Sequence, residues 1–309
     1  MKRAYLVLAA CVATLAAAKP AAAYVRYTLS SGVTFKWPQS CVMLTAYPAD
    51  FVSRMPLDQI MSATTGSADA WSTVSDPCTY LDITVDYSTA AMPRANPRDQ
   101  QSMVIFRTMT WCKLKADGLC DTSMMYDPAA LALTTVSARM STGQITDADI
   151  EVNALYFMWG DLVANPPTSN GPQLHDLRNA MTHEMGHLIG LDHTCFPPGS
   201  TMPRPNDDMG QPVPDCNLAS QEVIETTMFP SANSGDVDKR TLAPDDQRAV
   251  CEIYPAASDP NVCMPVVPGD GGEGCDCGIA GRSTAATPSA AALAVAFLIW
   301  RRRRRGSAT

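Results

Sequence analysis

Hydrophobic positions along the chain fall into short runs with two different periods. Val42 to Tyr47 is a compact β-type run, and Leu81-Asp82-Ile83-Thr84-Val85 alternates at period two, as a strand with one buried face does. Met103 to Trp111 and Ala130 to Ala138 are two further β-rich runs, while Ile145 to Trp159 mixes periods, with Ile150, Val152 and Ala154 alternating. Helical spacing over Leu57 to Val74 carries Ile60, Met61, Ala68 and Trp71, and it ends ahead of Ser75-Asp76-Pro77. The same spacing returns over Leu174 to Ile189, where Asp176 suits an N-cap or first-turn acid. A last short helix is predicted over Pro244 to Tyr254. Pro244 fits its first turn, Asp245 and Asp246 complement its N-terminal dipole, and Pro255 stops it. No internal repeat is visible. A helix, several strands and then two helices predict one α/β or α+β body.

The two ends depart from this pattern. Lys2 and Arg3 precede an apolar stretch from Tyr5 to Ala18, and Ala21-Ala22-Ala23 offers a small-residue cleavage site. Residues 1–23 therefore read as a secretory signal peptide. The competing reading, an N-terminal membrane anchor, needs an apolar run of about 20 residues, which this stretch does not reach. Residues 256–274, rich in Pro, Gly and Asp, suit a linker. Cys275-Asp276-Cys277 follows, then an apolar run from Ala290 to Trp300 and five arginines at 301–305. That order resembles the MYXO-CTERM sorting signals of myxobacteria. The resemblance implies a processing protease acting near Cys275 and removal of the helix, with display at the cell surface or release. A plain tail anchor, with the arginines kept cytoplasmic, is the competing reading. In either case the membrane is met only through this segment.

Composition narrows the function classes. The chain has 309 residues, 46% of them hydrophobic and 17% charged, so residues 24–255 can bury a sizeable core. Between residues 24 and 275 there are 14 basic against 30 acidic residues. So acidic a body leaves no footprint for a phosphate backbone, and nucleic-acid binding is excluded. Eleven cysteines are too many for an ordinary cytosolic enzyme. Apart from Cys11, Cys275 and Cys277, eight remain: Cys41, Cys78, Cys112, Cys120, Cys195, Cys216, Cys251 and Cys263. An even count in an exported body predicts up to four disulfides. Pairing sequential neighbours (41–78, 112–120, 195–216, 251–263) is the simplest expectation.

The chemistry concentrates in His183-Glu184-Met185-Gly186-His187-Leu188-Ile189-Gly190-Leu191-Asp192-His193. On a helix His183 and His187 project from one face, one turn apart. Gly190 lets the chain leave the helix, and His193 returns to supply a third nitrogen. Three imidazoles with one open position describe a catalytic zinc rather than a closed structural one. Glu184, beside the first ligand, is placed to take a proton from water. Only four histidines occur in the chain, and three occupy these positions.

This string resembles the metzincin zinc proteases, and the resemblance continues downstream. Thr226-Thr227-Met228-Phe229-Pro230 is similar to the clan's Met-turn, which would make Met228 the residue beneath the ligands, although it could equally be one methionine among 17. No tyrosine stands two residues after the methionine, where astacin-like enzymes carry a ligand. Together with Leu242-x-x-Asp245-Asp246, this points to the matrixins. The resemblance implies a twisted, mostly parallel sheet with one antiparallel edge strand and a zinc-binding helix. It also implies a small C-terminal subdomain holding the Met-turn and final helix.

Ala130 to Val136 would then be the edge strand, with Leu133, Thr134 and Pro230 as candidate substrate contacts. Residues 231–243 would line the pocket beyond the scissile bond. Extended or unfolded protein segments would be the substrates. The chain also departs from matrixins. It has no Pro-Arg-Cys-Gly-like latency segment, and His175 alone remains for a second zinc. Calcium is a possible replacement through Asp147, Asp149, Asp236 and Asp238. The 34 residues between His193 and Met228 form a Pro-rich insertion containing Cys195 and Cys216. Cys195 suits either a disulfide or a thiolate near the zinc.

The leading expectation is a secreted or cell-surface zinc endopeptidase. Two others stand beside it: a catalytically weak adhesin or binding module on a protease scaffold, and a zinc hydrolase of non-peptide amides.

Overall fold

The computed structural model describes residues 24–263 except 75–76, 92, 97–98 and 201–202. The signal-like and sorting-like segments lie outside these residues. At the amino end a short strand, β1 (Val25–Arg26), leads into the first sheet strand, β2 (Cys41–Tyr47), and the helix α1 (Leu57–Ser72). Then come β3 (Asp82–Tyr87), β4 (Met103–Arg107), a hairpin of β5 (Cys112–Leu114) and β6 (Cys120–Met125), β7 (Ala132–Ala138) and β8 (Ile145–Asn153). A short parallel pair, β9 (Met158–Gly160) and β10 (Leu174–Asp176), precedes the helix α2 (Leu177–Leu188) and the two-residue strand β11 (Leu191–Asp192). The one-turn helix α3 (Gln221–Ile224) and the final helix α4 (Pro244–Ile253) complete the body.

Five strands form one sheet in the order β3-β2-β4-β8-β7. All neighbours run parallel except β7, which lies antiparallel to β8 at the edge. Such a sheet needs cover on both faces, and its strands β4 and β8 are accordingly buried almost throughout. Every residue of β4 is buried, and in β8 only Thr146 is partly open. Val104, Phe106, Ile150 and Val152 join the main core with α1 and α2. Ile60, Ala63, Thr64, Ser67, Ala68 and Trp71 bury one stripe of α1 at the three- and four-residue spacing the pattern predicts. Two polar contacts fix how α1 meets α2: Ser67 donates to the Arg178 carbonyl at 3.1 Å, and Trp71 Nε1 donates to the Thr182 carbonyl at 2.9 Å.

The helix expected over residues 174–189 begins three residues later. Leu174–Asp176 pairs with β9, and only then does the chain turn helical. Asp176 is the N-cap, its side chain accepting from the Asn179 amide at 2.8 Å. Likewise, Met103 to Trp111 is a strand only as far as Arg107, and the β5–β6 hairpin was not legible in the pattern.

Four disulfides tie the body together, and they correct the simplest pairing. Cys112–Cys120 and Cys195–Cys216 join sequential neighbours as expected. The other two are nested, one inside the other: Cys41 bonds Cys263, and Cys78 bonds Cys251. The reason is where the chain ends. The Tyr254 carbonyl accepts from the Tyr80 amide and the Val262 carbonyl from the Ser40 amide, both at 3.0 Å. Residues 254–263 thus run past the starts of β2 and β3, bringing Cys251 and Cys263 to Cys78 and Cys41. Among the described residues no helix is long and apolar enough to cross a membrane.

Candidate metal centre

Helix α2 is buried along nearly its whole length, with the side chains of His183, Glu184 and His187 at 0% exposure. After Leu188 the chain leaves the helix through Gly190, whose φ of +98° favours glycine. A Cβ there would also stand 2.6 Å from the Phe35 carbonyl oxygen. The turn brings His193 back over the helix. His193 Nε2 lies 3.3 Å from His183 Nε2 and 3.1 Å from His187 Nε2. These three residues form the one group of three ligand-type side chains found among the described residues.

The outer nitrogens are engaged. His183 Nδ1 donates to the Thr227 carbonyl at 2.6 Å, and His187 Nδ1 donates to the Leu191 carbonyl at 2.9 Å. A proton held at Nδ1 leaves the Nε2 lone pair facing the other rings, the tautomer a metal ligand needs. Burial drives all three imidazole pKa values down, His187 to about 3, so the rings are neutral. Three neutral, convergent imidazoles without a fourth protein ligand suit a tetrahedral ion with one open position. Zinc fits this donor set.

Glu184 projects from the same helix. Its Oε2 accepts from the Thr134 hydroxyl at 2.6 Å, and its Oε1 is buried with no hydrogen-bond partner. Burial pushes this carboxyl up to about 8, opposed by the Thr134 hydrogen bond and the positive charge of Lys239. Leaving a carboxylate oxygen buried and unpaired costs on the order of 1–3 kcal/mol, so Oε1 is a reserved acceptor.

Met228 lies under this arrangement, 1% exposed. Its turn is fastened at three points. The Thr227 carbonyl holds His183, the Thr227 amide donates to Asp246 Oδ2 at 2.8 Å, and the Thr194 amide donates to the Met228 carbonyl at 3.3 Å. Gly186 is the matching surface on the helix, since a Cβ there would collide with Met228 Sδ. Lys239, 3% exposed, donates through Nζ to the Phe229 and Ser231 carbonyls, and its backbone amide donates to Asn179 Oδ1 at 2.7 Å. Burial lowers its pKa to about 8.

The substrate-contact candidates fare differently. Thr134 is fully buried and faces Glu184, and Leu133 is fully buried against Trp111 and Ala130. Neither side chain is open to solvent, because β7 is covered on both faces. Pro230 is also buried. Cys195 is in a disulfide, so it is no thiolate. The four acids suggested for calcium form no three-ligand group: Asp147 and Asp149 lie on β8, while Asp236 and Asp238 sit between the Met228 turn and α4. His175 is buried beside Phe157 and Trp159, away from the three-histidine group. Tyr27 is a site residue the pattern could not reveal: its hydroxyl lies 2.7 Å from His187 Nδ1.

No family model matches the chain, and no curated protein matches it. Two solved structures of myroilysin are similar at 14% identity. One covers 72% of this chain and 82% of its own at a TM-score of 0.33, the other 76% and 92% at 0.32. Likeness this distant assigns neither a family nor an activity.

Proposed function

We propose that this chain is a secreted zinc endopeptidase of the metzincin type, matrixin-like in its site. The observation that carries the reading is the convergence of His183, His187 and His193 beside a glutamate with one oxygen held in reserve. The three histidines would hold zinc through Nε2. When bound, the ion supplies Lewis-acid polarisation of a scissile carbonyl and acidifies a water in the open position. With the ion in place Glu184 Oε1 would serve as the general base and then as the acid toward the leaving amine, while Thr134 keeps Oε2 oriented. β7 is the terminal strand of the sheet, where an extended peptide would add by main-chain pairing, which favours flexible or unfolded protein segments as substrates. Four disulfides fit a protein that folds in an oxidising compartment, in keeping with export through residues 1–23.

The test is cleavage of denatured casein by the full chain expressed through an oxidising compartment, with and without a zinc chelator. Cleavage that stops with chelator and returns with zinc is expected. Glu184→Ala should retain one zinc per chain and lose turnover. Zinc binding with no cleavage of any member of a peptide library would favour a binding module instead, and cleavage insensitive to chelator would overturn the reading.

A further inference from the structure

The carboxyl end of α2 carries carbonyls that the helix itself cannot satisfy. Partners from far along the chain supply the missing bonds. Trp37 Nε1 donates to the Leu188 carbonyl at 2.9 Å, the Tyr254 hydroxyl to the Ile189 carbonyl at 2.7 Å, and the Tyr27 amide to the Gly190 carbonyl at 3.0 Å. Two of these three donors belong to residues 24–37. The same segment adds β1, antiparallel to β11, which lies between the second and third histidines. It closes on itself where the Phe35 amide donates to the Tyr27 carbonyl at 2.9 Å. The amino-terminal arm is thus bound around the turn that carries the chain from His187 to His193.

Tyr27 is the residue of the arm that reaches the site. Its ring is buried, nearly parallel to the His187 imidazole at 16° with centroids 5.8 Å apart so that the two meet end to end, and held edge-on by Phe35. Its hydroxyl is 2.7 Å from His187 Nδ1, on the side of the ring where the Leu191 carbonyl accepts. A neutral imidazole that presents Nε2 to a metal keeps its proton at Nδ1, so the hydroxyl oxygen shares that proton with Leu191. The hydroxyl and the Leu191 carbonyl together fix the rotation of the imidazole. We propose that Tyr27 is a positioning residue that presets His187 for metal, making the amino-terminal arm an integral part of the metal centre. Loss of a partner that orients a metal-bound histidine typically weakens affinity 10- to 100-fold.

The role rests on the metalloenzyme reading, and the test separates the two. In the full chain, Tyr27→Phe keeps the buried ring and its packing on Phe35 and removes only the oxygen. Tyr254→Phe removes a hydroxyl from the same helix end without touching a histidine. Zinc dissociation constants are read by competition with a chromophoric chelator, alongside the melting temperature of each metal-free protein. The expected result is about tenfold weaker zinc binding in Tyr27→Phe, with Tyr254→Phe within about twofold of wild type. Equal weakening in both variants would reduce Tyr27 to a helix-end contact and overturn the proposal, as would unchanged affinity in Tyr27→Phe. A wild-type chain that binds no zinc would overturn the metalloenzyme reading itself.

Discussion

The hydroxyl of Thr134 donates to Oε2 of Glu184 at 2.6 Å, joining the edge strand to the one carboxylate on the metal-facing helix. The same oxygen also lies 3.1 Å from the Glu184 carbonyl, so the threonine is held against two groups of one residue. Thr134→Val keeps the shape and removes both bonds. The carboxylate then loses its orientation while the histidines keep theirs. Turnover at saturating substrate should fall about tenfold, equivalent to about 1.4 kcal/mol of activation free energy, with zinc stoichiometry unchanged. Steady-state kinetics beside metal analysis checks this, and an unaltered kcat would remove Thr134 from the mechanism.

Gly186 and Met228 set up a test whose sign is informative. Alanine normally stabilises a helix interior by about 1 kcal/mol over glycine. Here the added methyl would meet Met228 Sδ and stand 2.9 Å from Cζ2 of Trp71. Gly186→Ala should therefore destabilise the fold, by about 1–3 kcal/mol, as overpacking does. Denaturant unfolding of the metal-free protein measures it. A stabilised variant would mean that the Met228 turn does not press on the helix.

Asp147 and Asp149 predict how stability varies with pH. Both are fully buried on β8, and three of their four carboxylate oxygens have no hydrogen-bond partner. Burial, reinforced by neighbouring acids, raises Asp147 to about 7 and Asp149 to about 9. Arg107 offers no relief, being paired with Glu151. Below about pH 4 folded and unfolded chains both hold these protons, whereas between about pH 4 and 9 only the folded chain does. Stability should then fall as pH rises through that window, by about 4 kcal/mol from pH 5 to pH 8 for Asp149 alone. Asp149→Asn should flatten the slope and be the more stable protein at pH 8. Urea unfolding at several pH values decides it, and a slope unchanged in Asp149→Asn would show that another group sets it.

The long- and short-loop disulfides predict unequal effects. In the chain-entropy account, a bridge spanning 173 residues restrains the unfolded state by about 5 kcal/mol and one spanning 8 by about 2.5. Replacing Cys78 and Cys251 together by serine should therefore cost roughly twice as much as replacing Cys112 and Cys120. Thermal unfolding of the two double variants compares them directly. A larger loss in the short-loop variant would contradict this ordering.

Much of the framework was legible in the pattern of residues. The strand at 42–47, the alternation at 81–85 and the helices at 57–74 and 244–254 all rest on local periodicity, and the structure places elements there within a few residues. The spacing of His183, Glu184, His187 and His193 was legible because a helix turn and a glycine exit are short-range geometry. What was not legible depends on chain closure. Nothing near Tyr27 announces a partner 160 residues away, and nothing near Cys78 selects Cys251 over Cys41. Thr134 enters only through the resemblance, as part of the edge strand, and nothing in its local sequence announces that its hydroxyl meets Glu184, 50 residues away. Leu174–Asp176 looked helical because three residues are too few to display a period of two.

The bond between Cys41 and Cys263 has a practical result for handling the protein. Any single break in the backbone between those two residues opens a ring rather than dividing the molecule. The pieces stay joined, so cleavage at an exposed turn would go unseen on a gel run without reductant and would appear only once the sulfurs were reduced. A preparation that looks whole in one condition and nicked in the other is the expected behaviour of this architecture, and purity should be judged in both.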